Sequence, residues 1–305
     1  MNVVCAVVAA LVVTLAVSGP AFAQSDLSGQ WRSLLQEDVP HRIDQQTAGG
    51  PGAGPGAGGP RIGDYTGLPI NAAARMKAEA WDPRLWVAAE HQTIFQPGAF
   101  WVFAGGATRI ATVFDNTTEN VVALEIYRAA QGGTTARTIW MDGRPHPPAH
   151  AAHTWQGFST GVWQGNTLVV KTTHLKTGFI RRNGVPASDK ATLTEHVVRH
   201  GSYLSVFRIV DDPIYLDEPF VTSSTWWRDP LQRLPSPPPS TIVEEIRGQH
   251  YEFVPHFLPG TNHHLREFAD SYGLPYEATR GGKETMYPEY QKTLNELRAA
   301  RRGTR

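Results

Sequence analysis

At 305 residues the chain can hold one large domain or two ordinary ones, and an apolar content of 41% is enough to fill a core. Its 28 Lys and Arg balance 28 Asp and Glu, and a pI of about 7.2 provides no electrostatic drive toward nucleic acid or an anionic membrane surface. Nucleic acid is therefore not an expected partner, and a small molecule is.

Residues 1–23 read as a secretory signal, because Val3 to Val17 is nearly unbroken apolar sequence and Ala21-Phe22-Ala23 is a small-x-small cleavage site. The mature chain is expected to begin at Gln24, in the periplasm or outside the cell. The segment has no Lys or Arg before its apolar run, so an uncleaved anchor is the alternative. Its single cysteine, Cys5, would leave with the signal, giving a mature protein without thiols or disulfides that depends on its core for stability. No later stretch is apolar over the length a membrane-spanning helix needs.

Residues 24–47 are expected to supply a first barrel segment. Ser28-Gly29-Gln30-Trp31 resembles the opening of lipocalin-like barrels, where a Trp closes the barrel floor; an ordinary buried Trp on a first strand is the alternative. Residues 48–60 are Gly/Pro/Ala low-complexity sequence, which buries too little surface to offset the entropy of ordering it and is read as a flexible loop. The main domain is placed at residues 61–240. It starts with a helix over Pro69 to Ala80, bounded by Asp82-Pro83.

From Glu90 the pattern turns to period two. Strands are expected at His91–Gln96, Phe100–Ala104, Arg109–Phe114, Val121–Arg128, Thr135–Trp140, Gly157–Trp163, Thr167–His174, Thr192–Arg199, Ser202–Val210 and Val221–Trp227. They are short, rich in β-branched and aromatic residues, and punctuated by Gly, Pro, Asn or Asp. The implied fold is mainly β, an antiparallel lipocalin-like (calycin-type) barrel, and the lack of strand–helix alternation argues against a doubly wound sheet. Beyond the Pro-rich connector at Leu234 to Ser240, residues 241–305 form an irregular and helical extension expected to pack on the barrel. It includes a strand at Thr241–Phe253 and helices at Leu265–Tyr272 and Tyr287–Arg302.

Two hairpins sort the polar residues by face. Gly165-Asn166 pairs Gln164 with Thr167, which puts Ser159, Trp163, Leu168, Val170, Thr172 and His174 on one side. A turn at His200-Gly201 would pair Arg199 with Ser202. One face of that second hairpin carries His196, Tyr203, Ser205 and Phe207, and the other carries Leu193, Glu195, Val197 and Arg208, with Glu195 and Arg208 close enough for an ion pair. The faces holding Trp163 with His174, and His196 with Tyr203 and Phe207, are taken as the interior because they mix aromatic bulk with a few polar groups.

On that assignment His174 or His196 is the candidate base and Tyr203 or His146 the candidate acid, with Asp142 orienting an imidazole. Arg144 and Arg181 are candidates for holding an anionic group, and Trp155, Trp163 and Phe207 for lining the site. The competing readings are structural: single histidines satisfied by nearby hydroxyls, Asp142 paired with Arg144 in a turn, and Arg181 in a solvated basic loop. His146, His150 and His153 suggest a zinc or copper set, yet Pro147-Pro148 interrupts any helix that would align them. No cofactor is expected, and a bound metal is not favoured. Nucleophile-elbow, phosphate-loop, dinucleotide-binding and His-Glu-x-x-His motifs are all missing.

The stretches MDGRPHP, HTWQGFSTGVWQGNTLVV, ATLTEHVVRHG, IVDDPIYLDEPF and RGGKETMYPEY resemble a group of exported bacterial proteins with a lipocalin-like barrel and no established activity. The resemblance runs from about Trp81 to the end. It implies the fold and export and carries no catalytic residue with it. The functional expectation is thus a small-molecule-binding barrel doing cofactor-free lyase, hydratase or isomerase chemistry. Its alternatives are a non-catalytic carrier or sensor, and a His-rich metal-dependent protein.

Overall fold

A computed structural model describes residues 25–34, 62–82, 107–130, 133–181, 183–232 and 256–303. The expected signal segment, the Gly/Pro-rich loop, the strands at 91–96 and 100–104, and the connector and strand at 234–253 lie outside the described residues.

Nine strands close into a barrel: β1 (Gly29–Ser33), β2 (Ala107–Phe114), β3 (Val121–Ala130), β4 (Gly133–Trp140), β5 (Phe158–Gln164), β6 (Thr167–Thr173), β9 (Thr192–His200), β10 (Tyr203–Asp211) and β11 (Phe220–Arg228). Their order around the wall is β1-β11-β10-β9-β6-β5-β4-β3-β2, and β1 pairs with both β11 and β2. Among the described residues, closure leaves the barrel wall without a free edge strand. A two-residue hairpin, β7 (Gly178–Phe179) with β8 (Pro186–Ala187), branches from the segment between β6 and β9. The pairings are antiparallel except β4 with β5, which run parallel and share only Ile139–Ser159 and Trp140–Thr160.

The β5–β6 turn has the expected register, Gln164 opposite Thr167, with Gly165 at φ +60°. The second hairpin turns at Gly201-Ser202 instead of His200-Gly201, so Tyr203 lies opposite His200 and Leu204 opposite Arg199. Gly201, at φ +58°, takes the first turn position, where a side chain would be strained. The shift is even in residues, so the two faces keep the members expected of them.

Which face points inward is the reverse of expectation for this hairpin. Leu193, Glu195, Val197, Leu204, Val206, Arg208 and Val210 are buried, whereas Tyr203 and Phe207 are exposed on the outer wall. On β5 and β6 the inward face is the expected one, with Ser159, Leu168, Val170 and Thr172 buried. His174 leaves that face because the strand ends at Thr173 and His174 takes φ +56°.

Two apolar clusters fill the core. One occupies the barrel around Trp31, Ile110, Leu124, Ile139, Leu168, Val170, Val197, Leu204, Val206 and Trp226. Trp31 is fully buried and donates its indole N–H to the Leu27 carbonyl. The other cluster joins Leu193, Val210 and Phe220 at one end of the barrel to Tyr65, Leu68, Ile70, Ala74, Ala78 and Leu265. Ala74 and Ala78 lie on helix α1 (Ala72–Ala80), which starts at an Asn71 cap whose side chain accepts from the Ala74 amide.

The chain's last segment carries α2 (Glu267–Ser271) and α3 (Tyr290–Gly303). It grips α1 through Asn262 to the Glu79 carbonyl, and through an Arg280–Glu79 ion pair at 2.7 Å that also engages Tyr276. Among the described residues, no helix is long and apolar enough to cross a membrane.

Candidate functional site

Between the two apolar clusters lies a layer of charge. Arg137 on β4, Glu195 on β9 and Arg208 on β10 point into the barrel and are each no more than 3% exposed. Glu195 stands directly opposite Arg208 in the β9–β10 register, and β4 brings Arg137 from the other side of the wall. The Glu195 carboxylate lies 2.5 Å from Nη2 of Arg137 and 3.4 Å from Nε of Arg208.

Hydroxyls complete the layer. Arg137 donates from Nε to Ser159 Oγ at 3.2 Å and from Nη2 to Thr172 Oγ1 at 2.7 Å, and those two hydroxyls are 2.9 Å apart. Arg208 donates to Ser224 Oγ at 2.8 Å, with its guanidinium 5.3 Å from the centre of the Trp226 ring. Ions this deep survive only when paired and hydrogen-bonded.

The electrostatics suit recognition better than proton transfer. Burial alone would raise the Glu195 pKa, but Arg137 and Arg208 outweigh it and hold the carboxyl below its ordinary value. Burial lowers Arg208 to about 10 against the opposing pull of Glu195, which still leaves it cationic at neutral pH. A general acid or base needs a pKa near the working pH, and both of these groups are held far from it.

The residues expected to form the site do not converge on this layer. His146 and His174 lie outside the barrel, sharing the Thr173 hydroxyl. His196 sits on the outer wall between Val169 and Phe207, and Tyr203, also outside, faces His200 and Trp227. Asp142 pairs with Arg144 in an exposed turn, where the guanidinium stacks 3.5 Å from the centre of the Trp140 ring; the carboxylate orients no histidine. Trp155 is half-buried beneath the Lys176 ammonium. Trp163 alone of the expected interior aromatics packs against the inner cluster. Arg181 is not in a solvated loop: it is buried at the α1 end of the barrel, 5.7 Å from the Phe220 ring centre.

Among the described residues, no three His, Cys, Asp or Glu side chains come together as a metal-ligand set. The His146 ring nitrogens face Thr160 and Thr173, and His153 Nδ1 faces the Leu175 carbonyl.

Sequence reasoning paired Glu195 with Arg208 but set both on the outside, and it missed Arg137. The available signal was the grouping of opposite charges on one hairpin face. Comparison with protein-family models and with curated proteins finds no match to the chain.

Proposed function

We propose that this chain is an exported, non-catalytic carrier or sensor whose barrel takes up a small, partly apolar molecule. The observation that carries the reading is the internal pairing of Arg137, Glu195 and Arg208 with one another and with Ser159, Thr172 and Ser224. Paired, fixed charges between apolar clusters provide orientation for a ligand's polar group and no mobile proton. The apolar body of the ligand would lie against Leu168, Val197, Leu204 and Trp226, which border the charged layer. Export rests on the signal-like first 23 residues.

A lyase, hydratase or isomerase working in the same interior would require an ionisable group poised near neutrality, and the imidazoles that could serve are on the outer wall. Native mass spectrometry of the protein purified from the compartment to which it is exported is the test. A retained, chemically intact small molecule that is lost when Arg137, Glu195 and Arg208 are together replaced by Met, Leu and Met is the expected result. A ligand-free chain, or conversion of the bound molecule during incubation, would overturn the reading.

A further inference from the structure

We propose that His146, Thr173 and His174 form a pH-sensitive latch that closes the barrel seam between β4 and β5 and loosens on acidification. The proposal concerns the outer wall and does not depend on the carrier reading.

The seam is the shortest junction in the wall. Its two residue pairs compare with nine between β9 and β10, and its parallel geometry is slightly less stable per residue. Close packing helps hold it: Met141 crosses over Gly161, where a Cβ would meet the Met141 sulfur at 2.6 Å. The connection from Met141 to Gly157 then folds over the outer faces of β5 and β6.

His146 ties that connection to both strands, with Nε2 2.8 Å from Thr160 Oγ1 on β5 and Nδ1 2.7 Å from Thr173 Oγ1 on β6. His174 approaches the same Thr173 hydroxyl with Nδ1 at 2.8 Å and reaches the Pro148 carbonyl with Nε2 at 3.0 Å. The positive φ of His174, uncommon for a residue with a side chain, places its ring between these two partners.

With both rings neutral, the protons in this chain have a single consistent arrangement. A carbonyl only accepts, so His174 carries its hydrogen on Nε2 and its bare Nδ1 accepts from the Thr173 hydroxyl. The Thr173 oxygen therefore accepts from Nδ1–H of His146, whose bare Nε2 accepts from Thr160. Because the chain ends in a backbone carbonyl, which cannot take up a proton and pass it on, it positions groups and does not relay protons.

Adding a proton to either ring breaks the pattern. A charged His174 must donate to Thr173, and a charged His146 must donate to Thr160, so a hydroxyl hydrogen loses its acceptor in each case. Two imidazolium rings would also face one another across a single oxygen. The groups shown beside the latch, Lys171 on β6 and His153 in the connection, offer no negative charge to relieve it. The His153 ring centre lies 5.2 Å from that of His174 at a tilt of 54°, and among the described residues no carboxylate is hydrogen-bonded to either latch ring.

Burial first, then Lys171 and His174, holds the His146 pKa below its ordinary value, so the fold favours the neutral ring. The unfolded chain then binds the proton more readily. The latch's contribution is complete above about pH 6.5 and is lost as pH falls through the lower folded value.

Nitrogen-15 NMR of the full chain at about pH 7.5 should find His146 protonated on Nδ1 and His174 on Nε2. Hydrogen exchange at the Ala151 and Thr154 amides, corrected for intrinsic rates, should speed up about tenfold on moving to about pH 5. Thr173→Val removes the shared hydroxyl while keeping the side chain's shape, and in that variant exchange should be fast at both values. Reversed tautomers, or wild-type protection that is equal at both pH values, would overturn the latch. Should the variant not fold, the two wild-type measurements decide the matter alone.

Discussion

Thr172 and Thr173 are neighbours in β6, yet one belongs to a buried charge layer and the other joins two imidazoles on the outer wall. The same contrast recurs at Glu195 and His196 in β9 and at Arg208 and Phe207 in β10. Alternation along a strand puts consecutive side chains in different solvents. Inside, a formal charge persists only with partners from other strands, which keeps its pKa far from neutrality. Outside, the imidazoles of His146 and His174 hold hydroxyl and carbonyl partners in a pattern that changes when a ring takes up a proton. The inner layer is therefore a fixed framework, and the outer cluster is the part that can respond to conditions.

The largest expected effect comes from breaking the framework at its centre. Glu195→Gln leaves two buried guanidiniums without their shared anion and should cost about 3–5 kcal/mol in urea denaturation. Replacing Arg137, Glu195 and Arg208 together by Met, Leu and Met should cost far less, because no orphaned charge remains. The depressed Glu195 pKa adds a pH signature. Its stabilisation is present above the unfolded carboxyl value of about 4.3 and is lost as pH falls through the lower folded value. The wild type should thus lose stability more steeply below about pH 4.5 than the triple variant. Equal losses in the single and triple variants would mean that the pairing contributes nothing particular to the fold.

How far the sequence revealed this contrast depends on range. Period-two patterning located β2 to β6 and β9 to β11 to within a few residues, while the short β7 and β8 were not expected, and turn chemistry grouped Glu195 with Arg208 and His196 with Phe207. Choosing the inner face failed because both faces of the β9–β10 hairpin carry apolar residues. Valines and leucines fill the inner one, while Val198, Tyr203, Phe207 and Ile209 lie on the outer. The mix of aromatic bulk with a few polar groups on the His196 face then tipped the choice the wrong way. The group that reverses it, Arg137, comes from β4, and no local pattern links that strand to β9. Arg181 misled for the same reason: its cover, Phe220 and the α1 end of the barrel, is distant in sequence. The Asp142–Arg144 pair was legible because it is formed within one turn.

A middle-sized effect is expected at the seam that separates the two regions. Gly161 is buried, and an added Cβ would meet Met141 Sδ at 2.6 Å, Leu168 Cδ1 at 3.0 Å and Ile139 Cγ2 at 3.1 Å. Gly161→Ala should cost about 1–3 kcal/mol by overpacking, since both Leu168 and Ile139 are held in the inner cluster. If the added methyl group pushes Met141 outward, exchange at Thr154 should quicken at neutral pH, reproducing the latch's acid response without any titration. A stability loss with Thr154 protection unchanged would show that the inner packing and the outer connection are uncoupled at this point.

The smallest effect tests whether the outer wall is as solvated as its position indicates. Phe207 is 47% exposed and lies opposite His196 on one side and Ser223 on the other, one residue from the buried Arg208. Phe207→Thr keeps a β-branched side chain suited to a strand and removes little buried area, so thermal or urea unfolding should shift by no more than about 0.5 kcal/mol. Ligand retention in native mass spectrometry should be unchanged, since the ring faces away from the charged layer. A loss comparable to that of Glu195→Gln would place Phe207 in a buried contact, and the division between a fixed inside and a responsive outside would then fail at the strand where it is sharpest.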